Sequence, residues 1–153
     1  MKKTILKCLC AMGLVMFGGG EACEVALSQA PDNLVMVANK ENASAAGMSL
    51  AQARKLLMGE MMTWSDKSKV MVVLPPPGDA GRDVILKKIC GMGEGVYLRR
   101  MLQAAFVGEP MISLHEAATP AAVKLFVKSN SGAVGFLRKG DVDASVRAVM
   151  SLE

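Results

Sequence analysis

One segment of the sequence combines free backbone N–H donors, a positive side chain and a predicted helix start, a combination that is typical of anion-binding sites. It covers residues 77–82, Pro-Gly-Asp-Ala-Gly-Arg, between an apolar run and a predicted helix. N–H groups at a helix N-terminus lack intrahelical partners, and the helix dipole favours negative charge there. Arg82 could add a forked donor for an oxyanion. The alternative is an ordinary turn, with Asp79 capping the helix and Arg82 in solvent. We predict ligand-binding residues at Gly78, Asp79, Ala80, Gly81 and Arg82.

Other residue types that support chemistry are scattered along the chain. His115 is the only histidine and has no cysteine or carboxylate at metal-ligand spacing, so a surface or loop position is favoured. The glycines of segment 91–95 lie between two predicted helices, which excludes a dinucleotide fingerprint. Asp141 and Asp143 lack the rest of a calcium loop, which favours a solvated turn. We predict no catalytic residues, no metal site, no cofactor and no enzymatic activity.

The N-terminus has the three parts of a secretory signal. Two lysines precede an apolar run over residues 5–17, which is too short for a membrane-spanning helix, and small residues follow. We predict a signal peptide over residues 1–22 with cleavage after Ala22, and a periplasmic or secreted protein. The alternative is a lipoprotein that carries its lipid on Cys23.

Removal of this signal changes the charge and the cysteine count. Three lysines and one glutamate leave with it, so the net charge of +4 falls by two, to +2. No basic cluster with interleaved aromatic residues remains, so we predict no nucleic-acid partner. No later stretch is apolar enough to span a membrane. Cys23 and Cys90 could form a disulfide in an oxidising compartment, but a buried Cys90 that acts as a small apolar residue is favoured.

Strand and helix patterns alternate along the rest of the chain. A flexible lead-in over residues 23–32 precedes the domain 33–153. Continuous apolar runs predict buried strands, and capping residues predict helix starts. Alternation of this kind predicts an α/β domain with a mostly buried mixed sheet flanked by helices. The predicted strands are 34–38, 70–74, 133–137 and 145–152; the predicted helices follow Ser49 up to Gly59, cover 79–90 and 94–106, and follow Thr119-Pro120.

The helix 94–106 has a clear apolar face. Leu98, Met101, Leu102 and Ala105 recur at helical spacing, whereas Arg99, Arg100 and Gln103 form the polar face of the predicted helix. Ten methionines remain after signal removal; they favour core filling, although an adaptable interaction surface is the alternative.

Several segments in order resemble the second half of the phosphate-binding proteins of ABC transporters, which have the type 2 periplasmic-binding-protein fold. They are 34–42, 48–52 leading to 57–60 and Trp64, 78–92, and 131–136. Short exported proteins described as phosphate-transporter substrate-binding proteins are similar as well. The resemblance implies a single lobe of that fold, an oxyanion ligand such as phosphate, and an ABC transporter as partner.

The sequence departs from the family at the predicted anion loop. Where the family offers Ser or Thr hydroxyl groups, this chain has Asp79 and Ala80, and a carboxylate there repels phosphate. Family members close two lobes on the anion, and this chain has room for one. Two hypotheses follow: a weak phosphate or oxyanion binder associated with ABC-type transport, or an envelope interaction module that binds no solute. A homodimer could rebuild the cleft.

Overall fold

A computed structural model describes residues 33–152 of the chain. The predicted signal peptide, the lead-in and Cys23 lie outside this range, so their predictions stay untested. Within it, helices and strands alternate as the sequence pattern predicts. The strands are β1 (Leu34–Ala38), β2 (Met71–Leu74), β3 (Ser113–Glu116), β4 (Ala133–Arg138) and β5 (Arg147–Leu152); the helices are α1 (Leu50–Leu57), α2 (Ala80–Cys90), α3 (Glu94–Phe106) and α4 (Pro120–Ser129).

The five strands form one mixed sheet in the order β3-β2-β4-β1-β5. The strand β2 pairs in parallel with both β3 and β4, whereas β1 pairs antiparallel with β4 and β5. Strands β1, β2 and β4 are the central ones and almost all of their side chains are buried, which explains their continuous apolar sequences. The predicted α/β class with a mixed, mostly buried sheet is confirmed.

Helices cover both faces of the sheet. On one face, α1, α2 and α3 pack against alternate strand residues, including Met36, Val72 and Val134. On the other face, α4 packs through Val123 and Val127 against the intervening residues. The larger core lies under the three helices, and it holds most of the buried side chains of the described range.

Two glycines allow close packing at β4. A Cβ atom on Gly135 would lie 2.7 Å from Val123 Cγ1, and one on Gly132 would lie 2.1 Å from the carbonyl oxygen of Lys69. The indole N–H of Trp64 donates to the Gly132 carbonyl oxygen at 3.0 Å. Trp64 is therefore packed on the domain, and both glycines permit close approach of neighbouring chain segments.

The predicted helix ends are present as hydrogen-bonded caps. Ser49 and Gln52 form the capping box of α1. Gly91 ends α2 in the left-handed conformation, at φ 71°, which a glycine adopts without steric cost. Asn39 closes the end of α4, since its side-chain amide donates to the carbonyl oxygens of Val127 and Lys128 at 2.8 and 3.0 Å.

Two features differ from the sequence-based expectations. The strand β3 was not predicted, because its Ser-Leu-His-Glu sequence is half polar; the strand lies at the sheet edge, where one side meets solvent.

The apolar face of α3 is largely uncovered: Leu98 is 38% and Leu102 is 60% exposed. This helix packs mainly through Tyr97, beside the edge strand, where the described part of the sheet ends.

Candidate functional site

An open cleft lies where the carboxyl ends of the parallel strands β2, β3 and β4 meet. Such ends gather at one edge of a sheet, and the helices that follow them begin there. Here the N-termini of α2 and α4 converge on a cleft of about 450 Å³. Its lining includes Pro75, Asp79, Ala80 and Gly81 from the β2–α2 junction, Ala117 to Pro120 from the β3–α4 junction, and Arg138 and Asp141 after β4.

Carboxylates of the chain itself occupy donors at the start of α2. The Asp79 side chain accepts a hydrogen bond from the Gly81 N–H at 2.7 Å and so caps the helix. The Gly78 N–H donates to Glu94 Oε2 at 3.0 Å. Both N–H groups were predicted to bind an external anion, and in the structure each already has an internal anionic acceptor.

Arg82 is buried beneath the cleft, with 1% of its surface exposed. Its Nε lies 2.9 Å from Glu94 Oε1, and its Nη1 donates to the Pro75 carbonyl oxygen at 2.9 Å. Nη1 also lies 3.2 Å from Glu116 Oε1. The guanidinium therefore joins the end of β2, the end of β3 and the start of α3, and it holds the cleft walls together.

The five predicted ligand residues are thus divided. Asp79, Ala80 and Gly81 line the cleft, whereas Gly78 and Arg82 do not belong to its lining. The alternative interpretation of this segment was right about Asp79 as a cap but wrong about a solvated Arg82. An arginine side chain can be buried when carboxylates lie close to its charge and a carbonyl oxygen accepts from it, as Glu94, Glu116 and the Pro75 carbonyl group do here.

The start of α4 contributes the other wall of the cleft. Thr119 Oγ1 accepts from the Ala122 N–H at 3.2 Å, so its hydroxyl hydrogen is left to donate elsewhere. Arg138 adds a positive charge on an exposed side chain. The sequence predicted the Thr119 cap correctly. The start of α4 follows β3 in the chain, however, and because β3 was not predicted, the position of α4 beside the start of α2 was not predicted either.

The other candidate residues lie outside this cleft. His115 is exposed on β3, with its ring centroid 4.4 Å from that of Phe126. The Asp143 carboxylate accepts from Lys124 at 2.8 Å, and hydrogen bonds from Lys124 and Ser145 hold its pKa well below the usual range. Over residues 33–152 no three His, Cys, Asp or Glu side chains are grouped as a metal site requires. Within the same range, no helix has the length and hydropathy of a membrane span.

No protein-family model and no curated protein matches this sequence. Solved structures do match. An ABC-type phosphate transport receptor from Vibrio cholerae has a TM-score of 0.61 at 21% identity, over 78% of this chain and 46% of that chain. A protein from Clostridium perfringens, assigned as a phosphate ABC transporter substrate-binding protein and solved with bound phosphate, has a TM-score of 0.61 at 20% identity, over 77% and 44%.

A candidate phosphate-binding protein from Planctomyces limnophilus gives a TM-score of 0.58 at 16% identity, over 77% of this chain and 40% of that one. The chain therefore has a phosphate-binding-protein-like fold, as the resemblance of its segments implied. It spans less than half the length of each of these three structures, which is consistent with one lobe. All three are described as transport or binding proteins.

Proposed function

We propose that this chain is a non-catalytic, exported solute-binding domain whose cleft binds a small oxyanion such as phosphate weakly, in association with an ABC-type transporter. The observation that carries this proposal is the convergence of two helix N-termini and Arg138 on one open cleft. Each helix N-terminus has the partial positive charge of its dipole, and Arg138 has a full one. Export to the periplasm is part of the proposal, and it rests on the N-terminal sequence.

The start of α4 is the better half of this cleft for an anion. Its Thr119 hydroxyl group can donate. In the first turn Pro120 has no N–H and the Ala122 N–H already donates to Thr119, so the Ala121 N–H is the backbone donor left for an anion. At the start of α2, by contrast, Asp79 places a negative charge in the cleft wall. Asp141 adds another. The cleft is also open to water, so we expect a dissociation constant for phosphate of about a millimolar or weaker.

The alternative proposal is an interaction module that docks on an envelope partner and binds no solute. The internal carboxylates favour it: Glu94 and Asp79 already accept from the donors that a ligand would use at α2. The two proposals differ in what the cleft binds. Isothermal titration with phosphate, sulfate and small carboxylates therefore separates them.

Paired variants make this titration specific to the cleft. Asp79→Asn keeps the capping oxygen but removes the charge, and at about 5 Å in water this relieves ~1 kcal/mol, so phosphate should bind about fivefold more tightly. Arg138→Gln should weaken binding. The controls are Asp66→Asn and Arg147→Gln, which make the same charge changes outside the cleft lining. If all five proteins give no heat at tens of millimolar anion, or each control matches its cleft variant, binding in this cleft is refuted.

A further inference from the structure

The helix α3 has an uncovered apolar face, and six of the eight exposed large apolar residues of the described surface lie on α3 or in the loop that follows it. We define the α3 stripe as Leu98, Leu102, Phe106, Val107 and Met111. Phe106 is 89% exposed and Val107 is 73% exposed. An amphipathic helix of a soluble domain normally buries such a face, because the free energy of folding or association gains from removing apolar surface from water. The residues between 33 and 152 leave this face open.

The size of the α3 stripe matches one side of a protein interface. From their exposed fractions, its five side chains present roughly 600 Å², which is at the upper end of the ~300–600 Å² of the largest patch on a typical monomer. A standard interface buries about 800 Å² on each partner, and the surroundings of the stripe can supply the difference. Arg99, Arg100 and Glu109 are exposed around it and form a polar rim.

A groove opens within this stripe, and Leu98, Leu102 and Met111 are among the residues that line it. It has a volume of about 230 Å³, and every residue that lines it is apolar or aromatic, including Tyr97, Met101, Ala105, Ile112 and Leu114. A cavity of about 150 Å³ is large enough to hold a benzene ring. The groove therefore has room for a phenyl side chain, and the most exposed phenyl side chain of the described surface, Phe106, follows the groove residue Ala105.

A projecting ring and an apolar groove on the same patch are self-complementary. In a two-fold interface, a residue of one copy contacts a second residue of its partner, and the reverse contact follows by symmetry. If the end of each α3 is to reach the groove of the other copy, the two-fold axis must be perpendicular to the helices, and the two helices then run antiparallel. The end of each helix, followed by Glu109, then approaches the half of the other helix that carries Arg99 and Arg100, so opposite charges meet at the rim.

We infer that this protein forms a two-fold homodimer through the α3 stripe, with Phe106 of each copy inserted into the apolar groove of the other. The contact lies beside the edge strand β3, through Leu114, and away from the anion cleft, which the strand ends form. The dimer is therefore independent of the proposed function, and either can fail without the other.

Sedimentation velocity on the full chain between about 1 and 100 µM tests this inference. We expect a concentration-dependent dimer for the wild type. Phe106→Asp and Leu102→Asp should each raise the dimer dissociation constant at least tenfold, because central apolar anchors carry most of the energy of an interface. Both side chains are largely exposed, so the circular dichroism spectra of the monomeric variants should stay close to the spectrum of the wild type.

The matched control is Leu125→Asp. Leu125 lies on α4, on the opposite face of the sheet, and is 68% exposed, so it makes the same chemical change at similar exposure. It should leave dimerisation unchanged. A wild-type monomer at about 100 µM overturns the inference, whether another segment of the chain, a different protein or nothing covers the stripe. A dimer that survives both α3 variants, or that Leu125→Asp weakens equally, overturns it as well.

Discussion

The buried cation Arg82 gives the sharpest stability prediction for this domain. We consider two changes, Arg82→Met, which replaces the guanidinium by an apolar side chain of similar length, and Glu94→Ala, which removes its best-placed carboxylate. Arg82 is 1% exposed, whereas Glu94 is 18% exposed. The two changes therefore leave different groups without a partner. A glutamate that keeps some access to water can be hydrated in part, and a fully buried guanidinium cannot.

The magnitude follows from this asymmetry. Removing one partner of a buried ion pair typically costs about 3–5 kcal/mol, because the remaining charge is uncompensated. We expect Glu94→Ala to fall in that range, since only Glu116, itself 49% exposed, would still face the cation. For Arg82→Met we expect about 2–3 kcal/mol, because the buried Glu94 Oε1 loses its partner while Oε2 keeps the hydrogen bond from Gly78 and the side chain stays 18% exposed. The double variant should be less destabilised than the sum of the singles, with a coupling of about 1–3 kcal/mol.

Urea unfolding measured by tryptophan fluorescence is a suitable assay. Trp64 is the single tryptophan of the chain and is buried in the larger core. The control is Lys87→Met on the same helix, which breaks the exposed pair with Asp83. Exposed pairs of this type contribute about 0–1 kcal/mol. If Arg82→Met is as mild as Lys87→Met, then Arg82 does not hold the cleft walls together.

Three further predictions concern the core and its ionisable groups. Gly135→Ala should lower the free energy of unfolding by about 1–3 kcal/mol, because the new Cβ meets the stiff side chain of Val123 at 2.7 Å; urea unfolding measures it, and a neutral effect would contradict the close contact. Burial raises the pKa of Cys90 to about 11, from 9.0 in the free group. Alkylation of the peptide containing Cys90, followed by mass spectrometry, should therefore be at least about 100-fold slower in the folded protein than in urea at pH 8. Burial also raises the pKa of Tyr97 to about 12, from 10.0. Since both groups stay neutral in the folded state while the unfolded chain ionises, their contribution to the free energy of unfolding should be constant below about pH 9 and fall between about pH 9 and 12; Cys90→Ala should flatten the first part of that fall, and an unchanged slope would refute the linkage.

Local signals were sufficient to predict most of the elements. The Ser49–Gln52 capping box, the Asp79 cap and Gly91 set helix ends through bonds between residues that are close in sequence. The central strands were predicted because both faces of the sheet are covered, which leaves continuous apolar runs. The strand β3 was not predicted because it lies at the edge of the sheet and lacks a continuous apolar run. Its hydrogen bonds to β2 hold it in place at the edge, and half-polar residues satisfy that position without any strong periodicity.

The role of Arg82 could not be predicted because its partners are distant in sequence. Glu94 and Glu116 follow it by 12 and 34 residues, and they meet it only when α3 and β3 have packed beside α2. A helix-start arginine after a glycine turn therefore had two local interpretations, ligand donor or solvated side chain, and the local sequence had no signal for the buried ion pair that the structure shows. The exposed face of α3 shows the same difficulty, because an apolar stripe predicts that something covers it but not what.

The internal carboxylates bear directly on the choice between a solute-binding cleft and a docking module. Glu94 and Asp79 satisfy donors at α2 that an oxyanion would otherwise use, so any anion must depend on the α4 side and on Arg138. Asp79 then becomes the decisive group, because it repels the ligand while its capping function needs only a neutral oxygen. If Asp79→Asn raises the affinity of the cleft for phosphate, then the cleft has the hydrogen-bond donors of an anion site, and the negative charge of Asp79 weakens binding there. If the Asp79→Asn variant gives no heat with phosphate, the cleft has no net attraction for an anion. The helix N-termini that line it then only hold the backbone in place.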